Sequence, residues 1–196
     1  MNVAKVFPQN GVLMVKLLRL AGMLAVATGA GVPRDAVAQR EVAPQAIDSS
    51  WLSADTASHT ATFELIAGLT GLNGALNFNG FRDGELTLTV PLGWTAVLHF
   101  RNHDGMLPHS AEVIEDVHPL PTQPVTPAFP RASTIRLAEG LPSEGRDDIR
   151  FIADKGGSYL IFFGVPGHGA AGMWIRLAVS GSVRKPSLAA TPAGMH

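Results

Sequence analysis

Past residue 60 the chain reads as short runs in which apolar and polar residues trade places. Leu86, Leu88 and Val90 alternate with Thr87 and Thr89. Ala96, Leu98 and Phe100 alternate in the same way with Val97, His99 and Arg101. A two-residue period places one set of side chains on each face of a strand, so both runs read as half-buried strands. The same reading predicts strands at Thr62–Leu69, Ala75–Phe78, Glu85–Val90, Thr95–Arg101 and Ser110–Glu115. It continues with Ser133–Leu137, Asp148–Ala153, Ser158–Phe163 and Met173–Val179. Asn79-Gly80, Asp83-Gly84 and Gly156-Gly157 supply turns between them. Beyond Gln39 no long stretch carries a helical period, although Asp116–Pro130 leaves room for a short turn of helix. Eight or nine strands in about 120 residues is the arithmetic of an all-β sandwich.

The N-terminus follows a different pattern. Lys5, Lys16 and Arg19 precede an apolar run of 13 residues, Leu20 to Val32. A membrane-spanning helix needs about 20 residues, whereas the apolar part of an export signal needs roughly 7–15. Ala36-Val37-Ala38 then offers the small-x-small pattern of a signal-peptidase site. Residues 1–38 are therefore expected to be a signal peptide, giving a periplasmic or extracellular protein that starts at Gln39. The alternative is an uncleaved anchor from Val12 to Val32, with Lys16 and Arg19 snorkelling to the surface. The polar stretch 39–59 reads as a linker, 60–180 as the sandwich domain, and 181–196 as a flexible tail.

Composition narrows the chemistry. The 196 residues contain no cysteine, which removes disulfides, thiol catalysis, Cys-type zinc sites and iron–sulfur clusters together. The formal net charge is −1, and loss of residues 1–38 removes four bases and one acid, so the exported chain is mildly acidic. Such a surface has no electrostatic footprint for nucleic acid.

Gly167-His168-Gly169-Ala170-Ala171-Gly172 matches the spacing of a dinucleotide-binding loop. That loop must open a helix and be followed some 20 residues later by an acid. Here Met173-Trp174-Ile175-Arg176-Leu177 continues as a strand, and no Asp or Glu follows Asp154. The match is accidental. Ser110, Asp116 and His118 lie close in sequence, but there is no nucleophile-elbow motif to organise them. The chain is expected not to be an enzyme. Among the histidines, His59 in the linker and the terminal His196 invite no chemistry. His109, behind Met106-Leu107-Pro108, and His168, on a glycine loop five residues before Met173, do. Two imidazoles and a thioether at one end of a sandwich form a set of ligands suited to copper.

The run Tyr159-Leu160-Ile161-Phe162-Phe163-Gly164-Val165-Pro166-Gly167-His168-Gly169-Ala170-Ala171-Gly172-Met173-Trp174-Ile175 resembles the C-terminal copper loop of the sulfocyanins. Phe78-Asn79-Gly80-Phe81, Val90-Pro91-Leu92-Gly93-Trp94 and Leu107-Pro108-His109-Ser110 resemble the same family in the same order. The resemblance runs from Thr60 to Val179 and implies a cupredoxin-like Greek-key β-sandwich of the blue-copper type. It implies His109 as the early copper ligand, His168 as the loop ligand and Met173 as the axial one. The family's cysteine position falls on Phe163, which keeps the five-residue steps to 168 and 173.

A blue site depends on its copper–thiolate bond, and a phenyl ring has no lone pair to give. The electron-carrier role therefore cannot carry over intact. One expectation is a non-blue His₂Met site that handles copper, with His103 and Met106 as further donors near His109. A second is a metal-free module that binds an exported protein at the His168 loop edge, with the Phe163 ring plugging the copper cavity. A third is a non-blue redox carrier. By resemblance, Trp174, Val165 and Pro166 would border that edge.

Overall fold

The computed structural model describes residues 45–191, so the signal-peptide reading and His196 lie outside the described residues. Nine strands make up the domain: β1 (Leu52–Asp55), β2 (Thr60–Ala67), β3 (Leu86–Pro91), β4 (Thr95–Asn102) and β5 (Glu112–Glu115), then β6 (Arg146–Ile152), β7 (Gly157–Phe162), β8 (Trp174–Ser180) and β9 (Ser187–Ala190). They form two sheets, ordered β1-β2-β4-β6 and β5-β7-β8-β3-β9. The chain crosses between sheets after β2 and again after β3. β4 therefore returns parallel to β2, and β3 lies parallel to β8. Every other strand pairing is antiparallel. No helix among the described residues is long and apolar enough to cross a membrane.

The alternation seen in the sequence becomes a division between faces. Phe63, Leu65, Leu86, Leu88, Leu98, Phe100, Ile149, Phe151, Tyr159, Ile161, Ile175 and Leu177 point inward from both sheets into one core. Phe129 enters from the long β5–β6 connection, stacking on Phe151 at 4.9 Å and lying tilted against Tyr159 at 4.7 Å. A second, smaller cluster of Ile114, Leu160, Phe162 and Trp174 lies apart from this core, with Leu120 packed against it. On β7 odd and even residues therefore serve different clusters, as a two-residue period requires.

Two expected strands are absent. Asn73, Gly74 and Ala75 take φ of 54°, 64° and 67°, a left-handed conformation that no ladder accommodates. Leu72–Ala75 is accordingly a 3₁₀ turn, and Phe78 makes only isolated bridges, to Ala67 and Phe81. Ser133–Leu137 likewise contributes one bridge, Glu112 to Ser133, and breaks at Arg136, whose φ is 52°.

The domain also extends past both of its expected boundaries. Within the expected linker, Trp51 packs edge-on against Phe81 and β1 pairs with β2 through Leu52↔Phe63. His59 turns the chain between these two strands and stacks on Trp94 at 5.4 Å. Within the expected tail, β9 pairs with β3 through Leu88↔Leu188. Both strands lie at sheet edges, where the ladder is satisfied by backbone bonds while most side chains stay in water. Such strands carry little hydrophobic period.

Candidate metal centre

The end of the sandwich holding His109 is built mainly from two loops. The first follows β4 and is organised by Asn102, whose buried carboxamide donates to the Leu107 and Leu141 carbonyls at 2.9 Å each. Its oxygen accepts the Asp104 amide at 2.9 Å. Asp104 then accepts the Met106 amide at 2.8 Å and meets His109 Nε2 at 3.0 Å. The His109 backbone pairs in both directions with Leu141. Gly140, at φ 75°, is required beside it, since a Cβ there would lie 2.9 Å from the His109 nitrogen.

The imidazole of His109 is 0% exposed. Burial holds its pKa below the ordinary value; the Asp104 carboxylate pulls upward and His168 adds a smaller downward push. Burial also opposes charge on Asp104, but the hydrogen bonds from His109 and Met106 outweigh it and hold that carboxyl below its usual range. An ionised carboxylate can only accept, so His109 Nε2 carries the proton. In the neutral ring Nδ1 is then a bare lone pair, and in this structure it is buried without a hydrogen-bond partner. A carboxylate fixing the tautomer of an imidazole in this way is an arrangement common behind metal ligands.

The second loop joins β7 to β8 and carries His168. It is a succession of tight turns, with Ala171 N–H donating to His168 O and Gly172 N–H to Gly169 O at 3.0 Å each. Gly169 has no room for a side chain, because a Cβ would fall 2.1 Å from Cζ of Phe162. Two neighbours tie the loop down: Gly167 N–H donates to Thr122 O at 3.0 Å, and Asn73 Nδ2 donates to Ala171 O at 2.9 Å. His168 Nδ1, like that of His109, is buried with no hydrogen-bond partner.

Phe163 stands between the two loops. Its ring centroid lies 4.9 Å from that of His109 and 5.1 Å from that of His168, and the residue is 1% exposed. Met173 is fully buried in the same core, and its carbonyl accepts the Phe163 amide at 3.2 Å. The structure thus brings the rings of His109, Phe163 and His168 together and ties Met173 to Phe163 through the backbone. His103 and Met106 stay out: the first faces Glu144 at 3.6 Å and the second is 91% exposed. Trp174 does not border the rim either, being buried in the smaller cluster with Arg176 over its ring at 5.3 Å.

The donor chemistry suits copper, and a phenyl ring packs against both imidazoles. Both Nδ1 atoms are free of hydrogen bonds. An ion bonded to imidazole nitrogen sits about 2.0–2.1 Å from it, whereas both rings here are in aromatic contact with the same phenyl group. The Phe163 ring thus lies against both imidazoles, at the position where the family carries a thiolate. Among the described residues no group of three or more His, Cys, Asp or Glu side chains is arranged to hold a metal ion. Asp104 and Asn102 are the site residues that sequence reasoning missed. An acid five positions before His109 was the available signal, but nothing in the local pattern says that the loop folds back.

Over 117 residues the chain is 28% identical to the sulfocyanin of Sulfolobus acidocaldarius, covering 56% of this chain and 58% of that protein. It thus spans less than two thirds of that relative. A structure of rusticyanin variants superposes with a TM-score of 0.50 at 20% identity, covering 67% of this chain and 88% of the other. Reduced auracyanin from Roseiflexus castenholzii gives 0.46 at 22% identity, covering 65% and 99%. The rusticyanin likeness speaks for the fold, a cupredoxin β-sandwich. The model of the sulfocyanin (SoxE) domain matches residues 49–190, taking in both edge strands. The chain belongs to the sulfocyanin family, as a member in which Phe163 holds the position of the copper-binding cysteine.

Proposed function

We propose that this protein is an exported, metal-free member of the sulfocyanin family that works as a binding module rather than as an electron carrier. The observation that carries this reading is the Phe163 ring packed against both imidazoles at 4.9 and 5.1 Å. The phenyl group fills the volume where a shared ion would bond to His109 and His168. The partner in this reading is an exported protein that docks at the His168 end. Leu72, Met106, Leu107 and Val125 are exposed there on the loops around the site. The 72–75 turn and the 116–130 loop are both hydrogen-bonded to the His168 loop. This reading assigns the chain no catalytic group.

The two unpartnered Nδ1 atoms favour a second reading, a non-blue His₂Met site that handles copper through His109, His168 and Met173. A buried polar atom left without a partner costs about 1–3 kcal/mol, and an ion would relieve two of them. That requires the Phe163 ring to leave a fully packed position.

Titration of the mature chain with Cu(I) and Cu(II) decides between the readings. No stoichiometric binding by the wild type, with binding gained in Phe163→Ala, is the expected result. Tight binding by the wild type that His168→Ala abolishes would overturn the metal-free reading in favour of the second. In either case Phe163→Cys should acquire an intense blue Cu(II) absorption, because it restores the thiolate between the two imidazoles.

A further inference from the structure

The outer surface of the β5–β7–β8 sheet carries a buried acid that the copper-site geometry does not use. Ala111 and Val113 belong to the main core and Ile114 to the smaller cluster. Alternation along the strand therefore sets Glu112 on the side of Ile114, under the 116–130 loop. Glu112 is 0% exposed, and neither carboxyl oxygen has a hydrogen-bond partner. Val125 of the covering loop brings its backbone N–H toward the carboxyl without completing a hydrogen bond.

Charged groups on the surrounding elements do not compensate. On the loop, Asp116 faces His118 at 3.3 Å and Arg176 of β8 at 3.8 Å. Arg176 also lies over Trp174. Neither those groups, Glu115 on the same strand, Arg131 beside the Ser133 bridge, nor His168 on the neighbouring loop enters among the causes acting on Glu112. Burial alone pushes its carboxyl up to about 7. A neutral acid is tolerable under a packed loop, whereas a carboxylate with no partner is not.

The covering loop is fastened unevenly. At its far end Ala128 N–H donates to Val113 O at 2.8 Å, and Phe129 is sunk in the core. Between Asp116 and Val125 the attachments are Leu120 on the smaller cluster and Thr122 O, which accepts Gly167 N–H from the His168 loop. The stretch over Glu112 is thus also the stretch that holds down the His168 loop.

We propose that Glu112 is a pH-operated latch, which keeps the 116–125 segment closed on the sheet when protonated and releases it, with the His168 loop, when ionised. The sign follows from linkage. Once the segment opens, the carboxyl reaches water and returns to its ordinary pKa of 4.5, against about 7 when closed. The closed form therefore binds the extra proton. Its advantage is complete below 4.5 and falls about tenfold per pH unit, until it levels off near 7. This inference does not depend on whether the site takes copper.

Amide hydrogen exchange of the mature chain, followed from pH 4.5 to 7.5 and corrected for intrinsic exchange rates, tests it. In the wild type the protection of Gly167 should fall by about a hundredfold or more across that window. Ala128 and Val113, which are anchored in the core, should stay protected. Glu112→Gln should hold Gly167 protected at every pH, and His118→Ala should behave as the wild type. A wild type without the transition overturns the proposal, as does a Glu112→Gln variant that keeps it or a His118→Ala variant that loses it. A carboxyl NMR titration of wild-type Glu112 needs no variant to fold, and a midpoint near 4.5 would equally overturn it.

Discussion

Phe162 and Phe163 are the same residue type, adjacent in sequence and both buried, yet they do opposite things. The Phe163 ring points into the core and lies against two imidazoles. Phe162 points outward and serves as the floor on which Gly169 rests. The inner face has traded ligand chemistry for packing. The outer face keeps a titratable group, Glu112, directly across from Phe162 in the ladder. In the readings proposed above, a single alternation of the backbone separates a silenced site from one that responds to pH.

That contrast can be broken by mutation. Phe163→Ala and Phe162→Ala each delete a large buried ring and should cost about 3–5 kcal/mol in urea unfolding. Added copper should restore part of the loss in Phe163→Ala and none in Phe162→Ala, whose ring does not touch the imidazoles. Equal rescue of both would mean that the two rings do not divide the work as described. Gly169→Ala places a methyl group into the Phe162 ring and should cost about 1–3 kcal/mol, with faster exchange at Gly167 and unaltered protection in β8. Asp104→Ala should cost about 1–3 kcal/mol by leaving His109 Nε2–H without its acceptor. Met106→Ala, at an exposed position outside the site, should stay within about 0.5 kcal/mol of wild type. A larger effect would place Met106 in the site after all.

Much of this is legible in the sequence, for a physical reason. Strands with one buried face, such as β3 and β4, announce themselves by alternation, and the five-residue step from Phe163 to His168 returns as a ring contact. Edge strands do not announce themselves. Ser53, Ala54 and Asp55 are held by the β2 ladder while their side chains remain in water, so hydrophobicity says nothing about them. The positive-φ residues at 73–75 turned an apolar-looking run into a turn, an effect of backbone conformation that residue type only weakly encodes. Asp104 and Glu112 were illegible for another reason. A carboxylate that orients an imidazole and a carboxyl buried under a loop are both ordinary acids until the chain folds back over them.

The bare nitrogens of His109 and His168 carry a last consequence. Three other buried polar side chains, Asn77, Asn79 and Asn102, each bond to backbone groups, whereas Glu112 shares the predicament of the imidazoles. At the imidazoles, local chemistry and global packing disagree, because two nitrogen atoms suited to coordination face a hydrocarbon ring. In landscape terms this is a frustrated spot in an otherwise consistent fold, and such spots tend to mark function rather than stability. The sandwich is held together by its other residues, and this end of it is free to be tuned by exchanging a single side chain.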